Sequence, residues 1–112
     1  MKKTEPKNLQ VAQMNNPIEN LNKIFDSRVR LGIMSTLMVN DEINFNDLKQ
    51  LIDVTDGNLA SHIKSLEESG YIKVYKGFVG RKTNTTYSVT KTGKKAFQQH
   101  LDALEKMIKS IG

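Results

Sequence analysis

Two helical patterns lie only three residues apart in the middle of this sequence, and a β-hairpin pattern follows at once. The first runs from a cap at Asn46 to about Ile52 and is expected to bury Leu48, Leu51 and Ile52. Asp53-Val54-Thr55 is the turn. Thr55 is a good N-cap for the second helix, Asp56 to Ser69, whose Asp56 sits near the positive end of the helix dipole. Gly70 ends that helix as a C′ glycine does. Tyr71 to Phe78 and Thr85 to Val89 then read as strands rich in β-branched and aromatic residues, with the turn between them supplied by Gly77 through Asn84.

The flanks extend this core in both directions. Residues 1–15 are polar and aperiodic and read as a flexible arm. Asn16-Pro17-Ile18-Glu19 carries the signals of a helix start, and Ile18, Leu21 and either Ile24 or Phe25 give that helix an apolar face. Asp26-Ser27 opens a further helix to about Met38, with Val29, Ile33, Met34, Leu37 and Met38 at three- and four-residue spacing. Asn40-Asp41 breaks it, and Ile43-Asn44-Phe45 reads as a short extended piece. Thr90 caps a last helix from Lys91 to about Ser110. The expected fold is therefore mainly α with a small β-hairpin (α+β). It is a winged helix-turn-helix with an extra N-terminal helix and a C-terminal dimerisation helix over about 91–111, all in one domain of residues 16–112.

That order makes the helix from Asp56 a candidate recognition helix. Leu59, Ile63 and Leu66 face the core at i, i+4 and i+7, and Gly57, Ser61, Lys64 and Glu68 lie opposite, flanked by Asn58 and Ser65. Short polar side chains let a backbone approach a major groove, while Asn, Ser and Lys offer donors to base edges and phosphates. An amphipathic helix whose polar face meets only water is the plainer alternative. Such faces usually carry more Lys and Glu and fewer Ser, Gly and Asn, which are poorer helix formers. His62 lies beside this face, where a packing or phosphate-contacting role outweighs metal ligation. The second element is the hairpin tip, where Arg81, Lys82, Thr83 and Asn84 form a basic wing suited to a phosphate backbone or a minor groove. A solvated turn is its alternative, but a recognition helix and a basic wing at this separation are together far less expected by chance.

Composition narrows the function classes without choosing among them. At 112 residues with 38% hydrophobic and 26% charged residues, the chain suits a soluble globular domain, and no apolar run is long enough to span a bilayer. The lysine-bearing start lacks the apolar stretch of a secretory signal. Without cysteine there are no disulfides or thiolate ligands, which suits a cytoplasmic protein. The net charge of +5 is unevenly placed: Tyr71 to Lys95 holds seven cations and no acid, whereas Val39 to Glu68 holds seven acids and two lysines. No phosphate loop, zinc motif or clustered carboxylate pair is present, and Ser61-His62, adjacent on a helix, cannot make a triad. The expectation is no enzyme, no metal and no cofactor.

Thr55-Asp56-Gly57-Asn58-Leu59-Ala60-Ser61-His62-Ile63 and Leu66-Glu67-Glu68-Ser69-Gly70-Tyr71-Ile72 resemble the recognition helix and exit of MarR/ArsR-type winged-helix transcriptional regulators. Gly80-Arg81-Lys82 and Val89-Thr90-Lys91-Thr92-Gly93 resemble that group's wing and threonine-capped last helix, and Asp26 to Met34 its first core helix. The resemblance spans roughly Pro17 to Ile111. It implies a homodimeric bacterial or archaeal transcription factor on a palindromic operator in double-stranded DNA. The chain departs from the group in three ways. It lacks the cysteines of ArsR-type metal sensors, it is short for a MarR effector pocket, and it has Gly80 where MarR wings often carry an acid. An effector is left unassigned.

In the last helix Phe97, Leu101, Leu104, Ile108 and Ile111 recur at spacings of four and three, with Met107 adding width. Packing on the protein's own core is one reading of this seam. The other, favoured by the resemblance, is pairing with a second copy, with Ile18 and Leu21 completing a two-fold interface. Two recognition helices would then meet successive major grooves about 34 Å apart. The leading expectation is a dimeric sequence-specific DNA-binding regulator that represses by occluding a promoter. Glu67, Glu68 and the acidic helix before the turn support the alternative, a winged-helix protein–protein interaction module without DNA binding. A winged helix for RNA or Z-form nucleic acid shares the electrostatics.

Overall fold

Ser27, in extended backbone, accepts a hydrogen bond from the Arg30 amide and starts α1, Arg28–Val39. Ile33, Met34 and Leu37 of this helix are buried. Asn40, again extended, stops it, and β1 (Ile43–Asn44) follows. Then come α2 (Phe45–Ile52), α3 (Asp56–Glu68), β2 (Ile72–Val79), β3 (Lys82–Val89) and α4 (Lys91–Ile111). The computed structural model describes residues 17–111. The expected arm over residues 1–15 and the Asn16 cap lie outside them.

Over residues 17–25 the expected extra helix is not continuous. In its place stand two 3₁₀ turns, Pro17–Asn20 and Lys23–Phe25, separated by Asn22. The reason is the set of partners that hold Asn22. Its side-chain oxygen accepts from the Ile24 amide, its Nδ2 donates to the Tyr71 hydroxyl at 2.8 Å, and its backbone N–H donates to His100 Nδ1 at 3.0 Å. An asparagine satisfied this way caps a new turn instead of continuing an old one. Phe25 is the residue of this stretch that enters the core. Its ring meets Phe97 edge-on at 5.1 Å, with Tyr71 and His100 completing the cluster.

The helix-turn-helix follows the expected spacing, with one shift. Asn44, not Asn46, caps α2, accepting from the Asp47 amide at 2.8 Å. β1 pairs Ile43 with Tyr87 and Asn44 with Thr86 on β3, so the chain leaves extended backbone at Asn44 and is already helical at Phe45. Leu48 is buried and Ile52 partly so, but Leu51, expected in the core, is 63% exposed. Asp53 takes a left-handed conformation (φ 60°) and donates its N–H to Lys49 O, which closes the helix and turns the chain. Thr55 then caps α3. At its far end Gly70 (φ 78°) donates to Glu67 O and Tyr71 to Leu66 O, a Schellman closure that a β-carbon would strain.

The antiparallel sheet has the order β1-β3-β2, which leaves β2 at an edge. Its long pair runs from Ile72↔Val89 to Val79↔Lys82, so the wing is a tight hairpin with a two-residue loop, Gly80-Arg81. Only Gly80 needs positive φ there (65°), and glycine suits it. The broad turn expected over Gly77–Asn84 is thereby corrected: Lys82, Thr83 and Asn84 belong to β3. Beyond the sheet, Thr90 locks α4 in place. Its hydroxyl donates to Gly70 O at 2.6 Å and accepts from the Gly93 amide at 2.9 Å, and its own amide donates to Tyr71 O. Gly93 is buried so tightly that a β-carbon would overlap the Tyr71 carbonyl.

Candidate nucleic-acid interface

Helix α3 divides as its spacing predicts. Leu59, Ile63 and Leu66 are buried, while Gly57, Asn58, Ser61 and Lys64 are exposed and Ser65 is half-buried. A β-carbon built on Gly57 would meet nothing within 4 Å, so no contact among the described residues requires glycine there. Glycine nonetheless costs a helix about 0.8–1.0 kcal/mol relative to alanine. The acidic character of this region is partly offset, since Lys49 Nζ lies 2.6 Å from Asp56 Oδ1 on the surface.

His62 is tied to the protein's own scaffold. Its Nδ1 lies 2.8 Å from Arg30 Nη1 of α1, and the Arg30 Nε donates to the Ile24 carbonyl. A guanidinium can only donate, so Nδ1 accepts and the proton sits on Nε2. Burial and then the Arg30 charge hold the His62 pKa below its ordinary value of 6.5, in keeping with a neutral ring. Arg30 is the site residue that the sequence reading missed. Periodicity marks α1 as a helix packed on the core but says nothing of a cation reaching across to α3.

The wing supplies the second wall. Arg81, Lys82 and Thr83 are exposed and Asn84 is half-buried. Among the described residues neither Arg81 nor Lys82 makes an ion pair. Between α3 and the hairpin runs an open groove of about 360 Å³, lined by Ala60, Lys64 and Glu67 on the helix side and by Lys76, Thr85 and Tyr87 on the sheet side. Burial, with the Glu67 carboxylate beside it, pushes the Tyr87 pKa above 10.0 and keeps its hydroxyl protonated. Lys76 is a second cation of this groove that strand alternation alone could have flagged.

The C-terminal seam splits. Phe97, expected at the dimer interface, is 2% exposed and belongs to the protomer's own core with Gly93, His100 and Ala103. This correction follows from the 3₁₀ turns, which bring Phe25 onto that face of α4. Leu101, Ile108 and Ile111 are left exposed, Leu104 and Met107 half-buried, and Ile18 and Leu21 lie exposed and half-buried on the N-terminal turns.

A two-helix unit with a three-residue turn, a basic two-stranded wing and a polar outer helix face is the geometry of a DNA-binding winged helix. The family model of the winged helix DNA-binding domain matches residues 29–108. The chain belongs to that family. This winged helix domain is 35% identical over 89 residues to an uncharacterized protein of Methanocaldococcus jannaschii, covering 80% of this chain and 97% of the relative. Among solved structures it is similar to a transcriptional regulator homologue from Pyrococcus horikoshii, with a TM-score of 0.76 at 28% identity over 91% of this chain and 96% of that one. It also shares its fold with a Porphyromonas gingivalis protein assigned to the MarR family of transcriptional regulators. There the TM-score is 0.61 at 21% identity, covering 97% and 94% of the two chains. The MarR-type likeness anticipated from the recognition helix and wing is thus matched in the fold, and both of these solved structures are described as transcriptional regulators. Among the described residues, no helix is long and apolar enough to cross a membrane.

Proposed function

We propose that this winged helix protein is a homodimeric, sequence-specific repressor of transcription that acts in the cytoplasm on a palindromic operator. The observation that carries the reading is the outer face of α3. It holds a glycine that no contact among the described residues requires, beside Asn58, Ser61 and Lys64, and Lys64 opens onto the same groove as the wing. In this reading Gly57 lets the helix backbone approach the major-groove floor, and Asn58, Ser61 and Ser65 read base edges. Lys64 and the His62 Nε2–H bind phosphates. Arg81 and Lys82, with Thr83 and Asn84 behind them, follow the backbone or enter the minor groove.

The dimer rests on the apolar surface that the protomer leaves uncovered. Leu101, Leu104, Met107, Ile108 and Ile111, with Ile18 and Leu21, form a self-complementary patch for a two-fold partner. Residues 16–112 then act as one DNA-binding and dimerising unit. Repression follows from simple occlusion when both grooves of a promoter are filled.

Selection from a library of random duplex DNA tests this reading. A palindromic consensus with half-sites about one helical turn apart is the expected outcome. Asn58→Ala and Ser61→Ala should each relax preference at one base position, by roughly 1–3 kcal/mol. Failure to enrich any duplex, together with capture of a specific protein partner, would favour the interaction-module alternative raised by the exposed Glu67 and Glu68.

A further inference from the structure

The end of the wing carries a largely exposed aromatic residue. Phe78 is 74% exposed at the edge strand β2, directly across from Thr83. Strand alternation places Val74, Lys76 and Phe78 on one face of β2, and their register partners Tyr87, Thr85 and Thr83 on the same face of β3. Val74, Lys76, Thr85 and Tyr87 of that set line the groove against α3. Phe78 therefore continues the wall of the groove beyond the point where the protein's own side chains fill it. Tyr75, on the opposite face, lays its ring over Gly77, so that a β-carbon there would push the ring aside. Phe78 makes no ring contact with another aromatic among the described residues.

Exposed aromatics on an edge strand are a liability for a soluble protein, so an unsupported one calls for an occupant. The surroundings select its chemistry. The stretch from Tyr71 to Lys95 contains seven cations and no acid, and Arg81 and Lys82 follow Phe78 within the same tip. A second wing would bring like charge against like. A polyanion with an apolar interior fits both features, and a DNA duplex has that construction, with phosphates outside and stacked bases within. Apolar side chains can enter the minor groove, partly unstack one base step and bend the helix, at a cost that flexible pyrimidine–purine steps keep low.

Resting on the DNA-binding reading above, we infer that Phe78 is an apolar wedge that the cations of the wing tip seat in the minor groove flanking each half-site. There it opens a flexible base step and adds deformability to the sequence preference set by α3.

The test uses the full chain and a selected duplex carrying 2-aminopurine at successive flanking positions, with donor and acceptor dyes on its ends to report bending. Wild-type protein should brighten 2-aminopurine at one step per half-site and shorten the end-to-end distance. Phe78→Ala should lose both signals and bind roughly tenfold more weakly. Because it removes no charge, the slope of log affinity against log salt should stay unchanged. Phe78→Leu, which keeps an apolar wedge, should retain most of the signal, and its melting temperature shows whether the site tolerates substitution. Arg81→Ala should show the converse, a smaller salt slope. If wild type binds the duplex without unstacking any flanking step, or Phe78→Ala keeps affinity and bend, the wedge is overturned while DNA binding stands. The wedge is equally overturned if Phe78→Ala changes only self-association. Absence of any binding by wild type would instead remove the DNA-binding reading on which the inference rests.

Discussion

At the scale of single residues, Gly57 separates stability from function. Its β-carbon position is open, so Gly57→Ala should stabilise the free protein by about 0.5–1 kcal/mol, read as a shift in the urea midpoint. The same methyl group should weaken duplex binding, because it stands between the helix backbone and the groove floor. The two histidines give a pH prediction. His62 is held below 6.5 by burial and then by Arg30, and His100 by burial, opposed by the Asp26 carboxylate. As pH falls through 6.5, the unfolded chain takes up protons that the folded chain resists. Their contribution to stability is thus complete above that value and lost as pH drops below it. His100 must also give up the Asn22 amide on protonation, since an imidazolium cannot accept. Thermal melts from about pH 7.5 to about pH 5.5 should show a falling midpoint, and His100→Gln should flatten that trend. A midpoint indifferent to pH would contradict the assigned neutral rings.

At the scale of elements, the junction between wing and last helix is fixed largely by one hydroxyl. Thr90 bonds Gly70 O and the Gly93 amide together, so Thr90→Ala should cost about 1–2 kcal/mol in chemical denaturation without altering the fold. This junction was legible in the sequence as a threonine cap, and so were the Thr55 cap, the Gly70 stop and the buried face of Leu59, Ile63 and Leu66. All are local signals, read within about two turns of helix. What could not be read depends on partners distant in the chain. Asn22 breaks the expected N-terminal helix because Tyr71 and His100 hold it, and Asn44 takes the cap of α2 because β3 pairs with it. The length of the hairpin was underestimated because Thr83 and Asn84 look like turn residues, although only Gly80 has to bend. The face of the candidate recognition helix was visible from spacing alone. The Arg30 brace on His62 was not, since thirty-two positions separate the two residues.

For the molecule as a whole, the exposed apolar surface of α4 predicts self-association. Ile108 is 67% exposed, so Ile108→Glu should leave the protomer's core intact while placing a charge in the proposed two-fold contact. Sedimentation should then show a dimer for the wild type and a folded monomer for the variant, which should also bind a palindromic site far more weakly. A monomeric wild type would assign these side chains to another role. The central claim, that α3 and the wing together form a duplex-DNA interface, is tested most directly by the salt dependence of binding to a selected duplex between about 50 and 200 mM. Affinity should fall steeply across that range. The slope should decrease by about one unit for each of Arg81→Ala and Lys82→Ala that removes a phosphate contact. Binding that is indifferent to salt, or a slope that neither variant changes, would contradict it.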